Sequence, residues 1–269
     1  MANRPLILLT NDDGIDSPGL HAAAQAVADL GDLLIVAPSA QRSGAGRSYP
    51  PVHDKTIYPT QIPLNGHSHP AFKADVSPAQ SVILAALALA PRPINLCISG
   101  INHGENLGSA ITTSGTVGAA MEAVNFNIPA LAVSFETAKE FHAKISHNLD
   151  FSVAGHFTRL FAQQVLDRGL PPGVDLLKID VPATATRQTP WQVGTVSRQR
   201  YYHPMFVTVE GQNDQKVIGY QAMVDHTTLE PYSDVHIFTV QRQVAVVPMT
   251  IDLTAPVARP GLVDFFGRN

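Results

Sequence analysis

The chain has 269 residues, a formal charge of −4 at neutral pH, and 45% apolar against 15% charged residues. That suits one large domain, or a main domain with an appendage, and leaves no global basic field to attract a nucleic-acid duplex. One cysteine, Cys97, excludes disulfides within the chain and thiol-rich metal sites.

In chain order, residues 6–10 (LILLT) read as a buried strand and residues 20–30 as an alanine-rich helix stopped by Gly31. Residues 33–37 (LLIVA) are a second buried strand, ended by Pro38. Together they predict a β-α-β unit with parallel strands and a right-handed crossover. Residues 41–48 form a polar, glycine-bearing loop, and the proline-rich stretch 50–70 predicts irregular structure with short extended pieces. A helix over 78–90, a strand over 94–99, a glycine- and asparagine-rich loop over 100–113 and a helix over 114–124 follow. A strand at 130–134, a helix within 149–168 and a strand at 176–181 complete the alternation. Beyond residue 182 the segments 191–202, 205–211, 216–224 and 235–249 read as strands with few helical signals. We therefore expect an alternating α/β core over 1–185 and a β-rich region over 186–269. No apolar run reaches the length of a membrane span, and MANRPLILLT reads as a first core strand and not a signal peptide. A soluble, cytoplasmic protein without a membrane partner is the expectation.

Alternating strands and helices predict an α/β fold with a doubly wound sheet, in which ligands bind beyond the carboxyl ends of the strands. Three such ends carry unusual polar loops, TNDDG, APSAQRSGAGRS and SGINHGENLG. Adjacent carboxylates at Asp12 and Asp13 repel one another unless a cation neutralises them. Where the strand breaks at Gly14 both can bend toward one point, which suits a hard divalent cation such as Mg²⁺ or Mn²⁺. The plainer alternative is an Asx turn at a solvated helix entry. Asn102 and Ser43 supply neutral oxygen donors on the other two loops. In TTSGTVGAAMEAV, Ser114 fits an N-cap, Thr116 falls in the first turn, and Gly115 and Gly118 admit a ligand or another backbone. That segment reads either as a phosphate cradle or as a well-capped helix. P-loop, dinucleotide and H-E-x-x-H motifs are absent, as is a G-x-S-x-G elbow. Among the eleven histidines, His103 stands out for its place beside Asn102.

The motifs ILLTNDDGIDSPGL, VAPSAQRSGAG and SGINHGENLG…SGTVGAAMEAV…IPALAVS resemble the SurE family of survival-protein nucleotidases. LLKIDVPA and SDVHIFTVQRQVAVVPMTIDLT fit the same family, so the resemblance spans most of the chain in order. It implies a Rossmann-like three-layer α/β/α sandwich with a β-rich C-terminal extension used for dimerisation. It implies a divalent-metal-dependent phosphomonoesterase acting on nucleoside 5′- and 3′-monophosphates. The metal ligands would be Asp12, Asp13, Ser43 and Asn102, with Asp12 and Asp13 also catalytic. The phosphate-facing residues would be Asn11, Asn106, Ser114, Gly115 and Thr116. A homodimer, or a tetramer built from it, is implied, with a C-terminal arm reaching onto the neighbour. The chain departs from the family pattern at Ser39, across residues 76–81 (including Gln80 and Ser81), and at Thr113.

The expected mechanism is in-line attack by water acidified by the metal, with the Ser114 helix start stabilising the phosphoryl oxygens. Two alternatives stand beside it: a phosphatase that uses an aspartyl nucleophile, and a metal- and nucleotide-binding regulator with weak or no turnover.

Overall fold

The computed structural model describes residues 4–51, 56–142, 148–208, 216–255 and 265. Its centre is a nine-stranded sheet. The strands are β1 (Leu6–Thr10), β2 (Asp32–Pro38), β3 (Tyr58–Leu64), β4 (His67–Ala74), β5 (Leu96–His103), β6 (Ala130–Phe135), β7 (Leu176–Val181), β8 (Trp191–Val193) and β11 (Val244–Met249). Across the sheet their order is β3-β4-β2-β1-β5-β6-β7-β11-β8. From β4 to β7 the neighbours are parallel, while β3 and β11 pair antiparallel with β4 and β7.

Among the described residues five α-helices flank it: α1 (Pro18–Val27), α2 (Pro78–Leu84), α3 (Gly115–Asn125), α4 (Ser152–Arg168) and the short α5 (Asp234–Thr239). Every residue of β1 is buried, because successive side chains of a strand enter opposite helical layers. Ile7 and Leu9 join the core beneath α1 and α4, while Leu6 and Leu8 join the core beneath α2 and α3. A third, smaller core gathers Leu107, Tyr201, Val235, Ile237 and Phe238 around α5. This is the Rossmann-like α/β/α sandwich that the sequence predicts. Among the described residues no helix is long and apolar enough to cross a membrane.

Three local expectations are corrected. The proline-rich stretch forms the β3–β4 hairpin, in which Leu64 pairs with His67 across Asn65 and Gly66. Both turn residues have positive φ, 53° and 76°, the requirement of a two-residue hairpin turn that Asn-Gly meets well. Pro59 and Pro63 are tolerated because β3 is a sheet edge. Strand β5 runs on to His103, with a register shift against β6 between Ser99 and Asn102, so part of the expected loop is strand. Residues 234–239 are helical, capped by Ser233, whose hydroxyl accepts from the His236 N–H.

The expected boundary near residue 185 does not divide the sheet, since β11 re-enters it beside β7 and β8 follows at the edge. What stands apart is a two-stranded ladder of β9 (Tyr202–Thr208) and β10 (Lys216–Ala222).

Candidate active site

The chain leaves β1 toward β2 on one side and later returns as β5 on the other. The crevice at the carboxyl end of β1 is therefore a topological switch point. The three loops that the sequence singled out all start there.

The first loop is pinned by Asn11. Its Oδ1 accepts from the Gly14 N–H (3.1 Å) and its Nδ2 donates to the Gly14 carbonyl (3.0 Å). Asn11 is fully buried, and its amide is committed to the turn at both ends. The second loop is drawn in by the Arg42 N–H, which donates to the Asp12 carbonyl at 2.6 Å. It is also tied to α3, where Arg47 Nε donates to the buried Glu122 carboxylate at 2.7 Å.

Asp12 and Asp13 face different surroundings. Asp12 lines the cleft, and its Oδ1 accepts from Thr116 Oγ1 at 2.7 Å. Burial, then the charge of Asp13, raise its pKa to about 7, against the pull of the Thr116 hydroxyl and backbone N–H. Asp13 is turned beneath the cleft. Its Oδ2 accepts from the His103 N–H (3.1 Å) and pairs with His103 Nδ1 (3.0 Å), and its Oδ1 accepts from Gln41 Nε2 (3.0 Å).

Gly115 is a place where only glycine fits. A Cβ there would lie 2.7 Å from the Asp12 Cβ and 2.8 Å from its Oδ2. The N-cap Ser114 spends its hydroxyl on the Val117 N–H at 3.1 Å. Thr116 spends hydroxyl and N–H on Asp12. Asn102 donates from Nδ2 to the Gly104 carbonyl (2.6 Å), which commits the nitrogen and leaves the oxygen as the end available to a ligand. Asn106 lines the same cleft and donates from Nδ2 to Ser134 Oγ at 2.8 Å.

The structure thus brings Asp12, Ser43, Asn102, Asn106 and Ser114 to one cleft of about 450 Å³. The side chains of Asn11, Asp13 and Thr116 lie below it and hold its floor.

Sequence reasoning missed the opposite wall. Tyr202, Ile218 and Tyr220 reach the cleft from the β9–β10 ladder, and His142 joins them. The His142 and Tyr220 rings stack with centroids 6.1 Å apart, and Tyr202 meets Tyr220 edge-on at 5.2 Å. His142 Nδ1 is 3.0 Å from the Tyr220 hydroxyl. Burial lowers the His142 pKa and raises those of both tyrosines. The aromatic runs RQRYYHP and IGYQ were the available signal, hidden because nothing local ties them to strand ends far upstream.

The departures within residues 76–81 and at Thr113 have structural roles. Ser77 and Gln80 form a capping box at α2, with Gln80 N–H to Ser77 Oγ at 3.1 Å and Ser77 N–H to Gln80 Oε1 at 3.0 Å. The same two side chains hold the Ser48 and Pro50 carbonyls, at 2.6 and 3.0 Å, and so anchor the far end of the Ser43 loop. Ser81 Oγ donates to the Ser77 carbonyl at 3.3 Å. Thr113 Oγ1 donates to the Ala110 carbonyl at 2.9 Å, whereas Ser39 is held through its N–H on the Ala74 carbonyl (2.8 Å), a backbone bond that leaves its side chain without a structural explanation.

Residues 7–203 match the family model described as Survival protein SurE. The chain is 41% identical over 253 residues to the 5′-nucleotidase SurE of Thermococcus gammatolerans, covering 93% of this chain and 92% of that protein. It is also 41% identical over 258 residues to the 5′-nucleotidase SurE of Methanocella arvoryzae, covering 93% of each. The crystal structure of the SurE protein from Aquifex aeolicus superposes with a TM-score of 0.75 at 26% identity, over 98% of this chain and 100% of that one. A match of this length to the family model, with such relatives over nearly the whole chain, makes the protein a member of the survival protein SurE family.

Proposed function

We propose that this chain is a divalent-metal-dependent phosphomonoesterase that hydrolyses nucleoside 5′- and 3′-monophosphates with water as nucleophile. The observation that carries the reading is Asp12. It is a buried carboxylate facing a cleft at the sheet's switch point, beside neutral oxygen donors and a helix start. The names of the relatives supply the nucleotidase half of the reading.

The residues present fit a hard cation. The donors are all oxygens, from Asp12, Ser43 and Asn102 at the cleft and Asp13 beneath it. Gly115 leaves open the space against Asp12 that any side chain would fill. When bound, Mg²⁺ or Mn²⁺ would supply charge neutralisation and Lewis-acid polarisation of phosphoryl oxygen and water. The protein's own residues do the rest. Gln41 and His103 hold Asp13, and Thr116 holds Asp12, so the carboxylate pair does not reorganise during the reaction. Asp12 is the carboxylate at the cleft surface and the one placed to take a proton from attacking water. The α3 start and Asn106 offer donors to the phosphoryl oxygens.

The aromatic wall supports a nucleoside as the leaving group, because a purine or pyrimidine can stack where a small alcohol cannot. The β9–β10 ladder exposes Phe206, at 72%, outside the cleft lining. That supports a two-fold dimer in which the ladder packs on the neighbouring subunit.

The test is phosphate release from a panel of 5′- and 3′-nucleotides with Mn²⁺ and with a chelator. Metal-dependent release, lost in Asp12→Asn, is expected. Binding without release would leave the regulator reading standing, and a phosphoprotein trapped by acid quench would replace water with an aspartyl nucleophile.

A further inference from the structure

Lys178 lies in the middle of β7, fully buried, in a strand whose other residues apart from Asp180 are all apolar. Its ammonium has an acceptor for each of its three hydrogens. They are Asp180 Oδ2 (2.5 Å), Asp234 Oδ2 (3.0 Å) and the Asn106 carbonyl (2.8 Å). Both carboxylates are fully buried as well. They do not serve the lysine alone. Asp180 Oδ1 accepts from the Asn106 N–H at 2.7 Å, and Asp234 Oδ2 accepts from the Gly108 N–H at 3.1 Å. Asp234 Oδ1 accepts from the Ser197 N–H at 2.9 Å, which ties the cluster to the chain after β8.

Desolvating three charges is expensive, and an apolar cluster of equal volume commonly does as well for stability or better. What an apolar cluster cannot do is hold the N–H and C=O of one residue and the N–H of another. This cluster does so at Asn106 and Gly108. With its backbone fixed at both ends and its side-chain amide on Ser134, Asn106 has one orientation over the cleft.

We infer that Lys178 is a positioning residue for phosphate binding: bridging Asp180 and Asp234, it fixes the 106–108 loop so that Asn106 meets the phosphoryl group. This rests on the proposed function, which makes Asn106 a phosphate-binding residue. It adds a residue with no cleft contact of its own, and it makes α5, more than a hundred positions downstream, part of the cleft's support.

The experiment is a double-mutant cycle on the Mn²⁺-loaded protein, with binding of inorganic phosphate read by calorimetry. Asn106→Ala and Lys178→Met should each weaken phosphate binding about tenfold or more. The double variant should be no weaker than the worse single one, because the lysine acts through the asparagine. Mn²⁺ affinity should stay unchanged in all three, a split that general loosening of the fold would not produce. If Lys178→Met does not fold, Asp180→Asn runs the same cycle. A carboxamide has one acceptor oxygen for the two donors, Lys178 Nζ and the Asn106 N–H, so one must be lost. Unaltered phosphate affinity in Lys178→Met, or effects that add, with Asn106→Ala clearly weakened, would overturn the inference alone. Unaltered affinity in Asn106→Ala would overturn the role of Asn106 itself, and the inference with it.

Discussion

The hydroxyl of Thr116, at the start of α3, donates to the carboxylate of Asp12, at the end of β1, at 2.7 Å. The two residues are 104 positions apart in the chain, and the bond is buried. The threonine that the sequence offered as a phosphate contact is thereby a holder of the cleft carboxylate.

Replacing Thr116 with Val should therefore act on metal binding before it acts on phosphate. A hydrogen bond to a charged acceptor contributes roughly 1.5–3 kcal/mol, so Mn²⁺ affinity should fall by about tenfold or more. Losing a donor to the ionised form moves the Asp12 pKa further up, so the loss should be larger at pH 6 than at pH 8. Calorimetry at the two pH values checks both statements. Equal affinities in variant and wild type would return Thr116 to a packing role.

The raised Asp12 pKa sets how the metal-free protein responds to pH. A free aspartate titrates near 3.8, whereas Asp12 in the fold titrates at about 7. Between those values the folded state holds a proton that the unfolded state has released. Its contribution is thus fully present below about pH 4 and is lost as pH rises toward 7. Urea unfolding of chelated protein should show that decline, amounting to a few kcal/mol at most. In Asp12→Asn the decline should be absent and the apo protein more stable at pH 8. Added Mn²⁺ should reverse the trend in the wild type, because metal and proton compete for one carboxylate.

Gly115→Ala should separate folding from activity. The new methyl would sit within 3 Å of Asp12 Cβ and Oδ2, so the carboxylate has to move. A misplacement of about 1 Å near reacting groups can cost roughly a hundredfold in rate. Phosphate release should fall by that order, while the far-ultraviolet circular dichroism and the sheet core stay intact. Full activity would mean that Asp12 tolerates a new position.

Tyr220→Ala tests the leaving-group wall. Stacking on an aromatic ring contributes about 1–3 kcal/mol per base, so KM for a nucleoside monophosphate should rise about tenfold. KM for glycerol phosphate, which has no ring to stack, should not change. Parallel increases for both substrates would assign Tyr220 to loop support through His142.

A Phe206→Asp substitution tests assembly. Its side chain lies on the exposed part of the ladder, away from the main sheet and outside the cleft lining. Light scattering should show a dimer for the wild type and a monomer for the variant, with the core fold retained. A monomeric wild type at micromolar concentration would remove the proposed arm.

The elements of the core, and the place where they meet, are legible in the residues of each segment. Periodicity alone marks β1, β2, β7 and α3, and a strand ending in Asn-Asp-Asp-Gly marks the crevice, because these signals are carried by each segment's own residues. The β3–β4 hairpin was legible too, in the Asn65-Gly66 pair, although the surrounding prolines obscured it. Which side chains face the cleft depends instead on contacts made across the folded chain. Asp12 and Asp13 are identical and adjacent, yet one lines the cleft and the other turns to Gln41 and His103. The directions depend on a glycine, a histidine and a threonine brought from α3 and β5, about ninety to a hundred positions away. The same holds for Lys178, whose charge inside a buried strand is a visible anomaly but whose partner Asp234 is supplied by the start of α5, a helix whose remaining residues read as strand. Local pattern fixes an element's type through burial and backbone geometry. The orientation of a charged group at its end is fixed by whichever distant donors satisfy it, and the order in which the sheet is assembled chooses those.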